Sequence, residues 1–376
     1  MQTDTTAGRR RGAGGLGLGL AASYALALAL TATTRGLSPN RPGKVARDGQ
    51  DKSSAASPSA ADAGRGRHAQ SPTEIPALGW WDIAKRLFEE IGKDRILAVA
   101  AGVTFYGLLA VFPAIAALVS LYGLVADPAT LGEHIAALGG LLPGGAIDII
   151  SEQVTRITSK GDTALGFAFF FGLAVSLWSA NAGMKAVFDA LNVAYDEEEK
   201  RNFFWLNVWS LLFTFATVIF VTMAIGAVVV IPIVLKFVGL GPATEWIIWL
   251  GRWPILLVAT LAALALLYRY GPSRERAQWR WLTPGAILAA VGGIVTSMLF
   301  SWYVSSFGSY NETYGSLGAV VGLMTWMWLT STVVLVGAEL NAETEHQTVK
   351  DSTEGGDKPI GARGARMADT VGSVRS

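Results

Sequence analysis

The stretch YGSLGAVVGLMTWMWLTSTVVLVGAELN, residues 314–341, decides the fold. No charged residue lies between Glu312 and Glu339, a run of 26 positions. A helix needs about 20 residues to cross a hydrocarbon core of about 30 Å, so the run is long enough to span. Gly315, Gly318 and Gly322 line its first turns. Gly318 and Gly322, four apart, share one helix face and predict a close approach by a neighbouring helix. Trp326 and Trp328 fall near mid-span, away from the headgroup belts, which predicts packing between helices. Glu339 and Asn341 close the run with polar groups.

The rest of the chain agrees with a membrane reading. Of 376 residues, 51% are hydrophobic, more than an ordinary soluble globule carries. Five further uncharged or nearly uncharged runs cover 96–126, 163–184, 202–235, roughly 246–268 and 281–311. They lack the period-2 alternation of barrel strands, which leaves helices as the way to satisfy the backbone in lipid. The expected fold is all-α: six transmembrane helices, interfacial amphipathic helices and disordered termini. Residues 80–94, WWDIAKRLFEEIGKD, have helical periodicity and predict an interfacial helix with Lys85 and Arg86 on its polar side. Two short amphipathic stretches in 127–162 predict further helices on the outer face.

Loop charge sets the orientation. Lys85, Arg86, Lys93 and Arg95 precede the first run. Lys200 and Arg201 follow the second; Arg269, Arg274, Arg276 and Arg280 follow the fourth. The alternate loops are poorer in Lys and Arg, so the positive-inside rule places both termini in the cytoplasm.

Residues 1–79 read as a low-complexity extension. Arg9, Arg10 and Arg11 precede an apolar stretch, Leu16–Ala32, with the pattern of a signal peptide or a weak extra span. Inserting it would put Lys85 to Arg95 outside, which favours a marginal helix that does not insert. The tail, 346–376, reads as disordered by composition.

The totals exclude several chemistries. Cysteine is absent, and the three histidines, His68, His134 and His346, lie far apart without metal-ligand spacing. No cofactor or metal is expected. The net charge of +1 gives no bulk attraction to nucleic acid. No phosphate loop of GxxxxGK[ST] form occurs.

Four segments resemble the YihY/BrkB family of bacterial inner-membrane proteins, a group once labelled ribonuclease BN. They are AGVTFYGLLAVFPA (101–114), LNVAYDEEEKRNFF (191–204), YRYGPSRERAQWRWLTPGA (268–286) and the stretch quoted first. The resemblance covers about 80–345 and implies six spans with both ends in the cytoplasm. It implies no settled activity.

Function must then come from polar groups within the bilayer. Glu339, Lys185 and Arg201 stand at a common depth in this topology and can form an interhelical ion pair, or each can snorkel to the headgroups. Tyr106, with Thr104, and Asn181, with Ser176 and Ser179, can line a polar track or serve as interhelical glue. Pro113, Pro232 and Pro254 can kink their helices. The expectation is a non-enzymatic multi-pass protein of the inner membrane that handles a small solute or lipid. A structural or assembly role in the envelope is the alternative.

Overall fold

The computed structural model describes residues 64–125, 162–225, 242–306 and 316–374. The outer-loop helices expected in 127–162, the apolar stretch 16–32, Pro232 and Gly315 lie outside them. The described chain is helical: α1 (Ala77–Lys93), α2 (Ile96–Val125), α3 (Asp162–Ala194), α4 (Phe203–Ile225), α5 (Pro242–Tyr270), α6 (Trp279–Ser306), α7 (Ser316–Glu345) and α8 (Arg366–Asp369). Among the described residues, four segments, Phe203–Val221, Trp253–Tyr270, Trp279–Tyr303 and Val320–Glu345, are long and apolar enough to cross a membrane. Pro254 and Pro284 lie inside α5 and α6 without ending them.

The helix built from the deciding stretch is central. α7 packs on α1, α2, α3 and α6, while α2 packs on α3, α4 on α3 and α5 on α6. Trp328 donates Nε1–H to Leu97 O in α2 at 2.8 Å, and Trp326 donates to Ser297 Oγ in α6 at 3.1 Å. Both mid-span tryptophans therefore bridge helices, as their depth predicts. The core is rich in alanine: Ala190, Ala194, Ala286, Ala289, Ala338 and Ala342 are buried with Leu191, Leu282 and Leu335. Small residues let helices close up where lipid tails are as apolar as leucine and give no hydrophobic drive. Large apolar side chains such as Phe215, Ile255, Met298 and Leu299 are exposed, as a lipid-facing surface requires.

Among the described glycines, the tightest approach between two helix backbones lies at another pair than the one containing Gly322. A Cβ on Gly322 would make only ordinary contact, 4.0 Å from Phe300. Gly285 in α6 and Gly337 in α7 are the touching pair. A Cβ on Gly285 would overlap Gly337 O, and one on Gly337 would lie 2.6 Å from both Gly285 O and the Tyr268 hydroxyl. Asn341 fixes this crossing by accepting from Gly285 N at 2.7 Å, and Tyr268 donates to Val334 O at 2.7 Å.

Two segments differ from their composition. In α1, Arg86 turns inward with Gly79, Asp82 and Ile83, whereas Trp81 and Phe88 are exposed. A buried carboxylate partner, Glu343, draws the arginine to that face. The tail is tied down rather than loose. Arg67 donates to Gln347 O and Gly372 O, and Val349 N donates to Arg67 O. Arg363 donates to Val349 O, Lys350 O and Ala368 O. Arginines that satisfy backbone carbonyls order a polar segment without an apolar core, which composition cannot register.

Candidate functional site

Polar and charged side chains gather at one end of the bundle. That end is formed by the α1–α2 turn, the α3–α4 and α5–α6 loops, and the last turns of α7. Gly and Ser bends in these loops bring side chains from distant sequence together: Asn192 accepts from Ser273 N at 2.7 Å, and Ser273 Oγ accepts from Lys200 N at 2.9 Å.

The last turns of α7 carry three carboxylates with different surroundings. Glu343 is held by Arg86, whose guanidinium also donates to Gln347 Oε1 at 2.8 Å; both ionic side chains are nearly solvent-free. Glu345 accepts from Arg274 at 2.7 and 2.9 Å and from Ser352 Oγ at 2.7 Å. Arg274 also lies over the Tyr195 ring, 4.7 Å from its centroid. Burial works against the charge of Arg274, but Glu345 and the other acidic groups near it hold its pKa above the ordinary value.

Glu339 is the exception. It is 1% exposed, and among the described residues no cation pairs with its carboxyl; the group that meets it is the carboxyl of Asp94. The charged groups that act on it are Asp94, Glu343 and Glu90, all acidic. Asp94 reaches this position because α1 ends there and Arg95 takes a left-handed backbone, φ 52°, to start α2. Glu339 and Glu343 are one helical turn apart, and only Glu343 meets its cation.

Glu339 meets neither of the cations its depth suggests. Lys185 Nζ donates to Asn207 Oδ1 at 2.6 Å, within a partly buried α3–α4 cluster. Asn181 completes that cluster, donating to Asn207 Oδ1 at 3.2 Å and accepting from the Ser210 hydroxyl. Arg201 forks onto Glu199, with two N–H···O bonds of 2.8 Å, and caps the end of α5 by donating to Gly271 O at 2.7 Å. Burial opposes the charge of Glu199, but the Arg201 bonds and Asn192 outweigh it and lower its pKa. Tyr106 is 36% exposed, and its backbone lies beside Gly183 where α2 meets α3. Thr104 is spent on its own helix, bonding Ala100 O at 2.8 Å.

Arg86, Asp94, Arg274, Glu343 and Glu345 belong to this end and escape a reading of single spans. The four-residue spacing of Glu339 and Glu343 is the signal that places both on one face. No group of three or more His, Cys, Asp or Glu with metal-site geometry occurs among the described residues.

Residues 87–360 match the family described as virulence factor BrkB. The chain belongs to the BrkB family. Among its relatives, the ribonuclease-like protein YfkH of Bacillus subtilis is 29% identical over 266 residues, 69% of this chain and 93% of the relative. A UPF0761 membrane protein of Pseudoalteromonas translucida is 24% identical over 283 residues, 73% and 89% of the two chains. One from Idiomarina loihiensis is 27% identical over 204 residues, 53% and 66%. No solved structure matches. The BrkB-family match starts inside α1, just after Arg86, and runs through the last turns of α7 into the tail, so it takes in most of the charged end.

Proposed function

We propose that this BrkB-family membrane protein moves or accommodates a small solute or lipid within the bilayer and does not catalyse a reaction. Glu339 carries the reading. An ionisable side chain in a membrane helix is costly and marks a solute, ion or proton path when packing does not pair it. Glu343 and Glu345 are paired with arginines and account for themselves as structural ties; Glu339 faces acidic neighbours, the Asp94 carboxyl within bonding reach, and meets no cation among the described residues. A cation is what this pair of carboxyls lacks. By the loop-charge asymmetry, the charged end faces the cytoplasm of the inner membrane, and both termini lie there. A purely structural role in the envelope draws on the dense ion pairs of the same end. It leaves Glu339 without a purpose.

The test is reconstitution of the purified protein into liposomes, with solute efflux and lipid scrambling measured against empty liposomes. Either activity supports the reading. Liposomes as tight and as static as the empty ones, with folded protein present, contradict it.

A further inference from the structure

A cavity of about 430 Å³ opens at the charged end, between the α3–α4 and α5–α6 loops. Its walls carry five cations: Lys200, Arg201, Arg269, Arg274 and Arg276. Glu275 is the one acidic residue of the lining. The carboxylates that pair with four of the cations, Glu197, Glu199, Glu345 and Glu354, are not part of that lining.

Donors remain after those pairs are counted. Arg274 uses Nη2 on Glu345 and Nε on Glu275 O, and its Nη1 has no partner although the side chain is 2% exposed. Arg269 spends Nη1 on Ala277 O and Nη2 on Glu354, which leaves Nε without a partner. Arg276 is exposed and enters no ion pair among the described residues; it sits over the Tyr270 ring at 5.2 Å. Lys200, whose side chain is 59% exposed, makes an i,i+3 pair to Glu197, whose side chain is 4% exposed. One wall is aromatic: Trp209 and Tyr270 stack with centroids 6.0 Å apart and planes at 9°. Phe203, Phe204 and Trp205 are exposed on the neighbouring first turn of α4, so an apolar surface lies close to the mouth.

We propose that this cavity binds a phosphate group, either on a lipid headgroup or as a free phosphate. Several arginine donors converging from two loops suit an anion with several acceptor oxygens, because guanidinium bonds to phosphate are charge-assisted and directional. Tryptophan and tyrosine beside a basic pocket, between helices at the headgroup level, fit a lipid phosphate in particular. Arg276 and Lys200 capture the anion, and Arg274 and Arg269 lie deeper. This inference stands apart from the Glu339 reading, because binding at equilibrium needs no translocation.

The test uses the full chain, delipidated in uncharged detergent and titrated by calorimetry with three probes: dioctanoyl phosphatidylglycerol, inorganic phosphate and dioctanoylglycerol. Saturable binding of the first is expected, with none of the phosphate-free third. Inorganic phosphate that binds as tightly as the lipid assigns the site to the free anion; phosphate that only competes weakly assigns it to the headgroup. Lys200→Ala with Arg276→Ala, both at exposed side chains, should weaken binding roughly 10- to 100-fold. Arg276→Glu alone should weaken it at least as much as Arg276→Ala. Absence of saturable binding by both phosphate probes overturns the proposal. So does binding that is unchanged in the double variant and in Arg276→Glu.

Discussion

Arg274 and Glu345, 71 residues apart in sequence, form a two-bond ion pair of 2.7 and 2.9 Å with side chains 2% and 0% exposed. The pair ties the α5–α6 loop to the last turn of α7. Removing one partner strands the other in a dry site, at a cost of about 3–5 kcal/mol, while replacing both with apolar groups is often neutral. Glu345→Gln and Arg274→Met should each lower stability in detergent by that order, and Glu345→Leu with Arg274→Met should recover most of it. Effects that simply add, within about 0.5 kcal/mol, would show no coupling.

The Gly285–Gly337 crossing predicts a second contrast. Gly285→Ala and Gly337→Ala push a methyl group into the opposite backbone, and overpacking of this kind costs about 1–3 kcal/mol. Gly322→Ala has room and gains helix propensity, so it should be neutral or stabilising by up to about 1 kcal/mol. Thermal unfolding of the three variants in one detergent decides this. Equal losses at all three positions would contradict the assigned crossing.

A third prediction concerns acid. Glu199 has a lowered pKa in the folded protein because Arg201 and Asn192 outweigh its burial. Its contribution is present in full above the unfolded glutamate pKa of about 4.3 and is lost as pH falls through the lower folded value. The melting temperature of the wild type should exceed that of Glu199→Gln at neutral pH, and the gap should close below about pH 4. A gap independent of pH would mean that the Glu199 charge does not matter.

Orientation is open to labelling, because the chain has no cysteine of its own. Glu198 and Glu275 are exposed in the α3–α4 and α5–α6 loops. Glu198→Cys and Glu275→Cys should stay unlabelled by an impermeant thiol reagent in intact cells, while Ser159→Cys should react. The reverse pattern would invert the topology.

The sequence exposes those parts of the fold that are local properties of a segment. Uncharged runs mark the long helices, and a carboxylate at the end of one run marks Glu339. Mid-span depth alone turns Trp326 and Trp328 towards neighbouring helices. Pairwise properties are hidden. Gly337 gives close contact only because Gly285 faces it, and Gly322, with better spacing from Gly318, has only Phe300 at 4.0 Å. Arg86 looks like a solvated charge until Glu343, 257 residues later, turns it inward. Equal depth suggests Lys185 and Arg201 as partners of Glu339, but Asn207 and Glu199 reach them instead. The tail is ordered by arginine bonds to backbone carbonyls, which leave no trace in composition.

The most direct test of the account compares wild type and Glu339→Gln in matched proteoliposomes. Gln keeps the shape of the side chain, cannot carry charge and places an NH2 donor where one carboxyl oxygen was. Equal melting temperatures and equal incorporation establish that both proteins are folded. Flux or scrambling should be present in the wild type and reduced at least about tenfold in Glu339→Gln, the loss of about 1.4 kcal/mol expected when a single charged contact to the moving species is removed. Undiminished activity in Glu339→Gln would contradict the assignment of this carboxyl to the path.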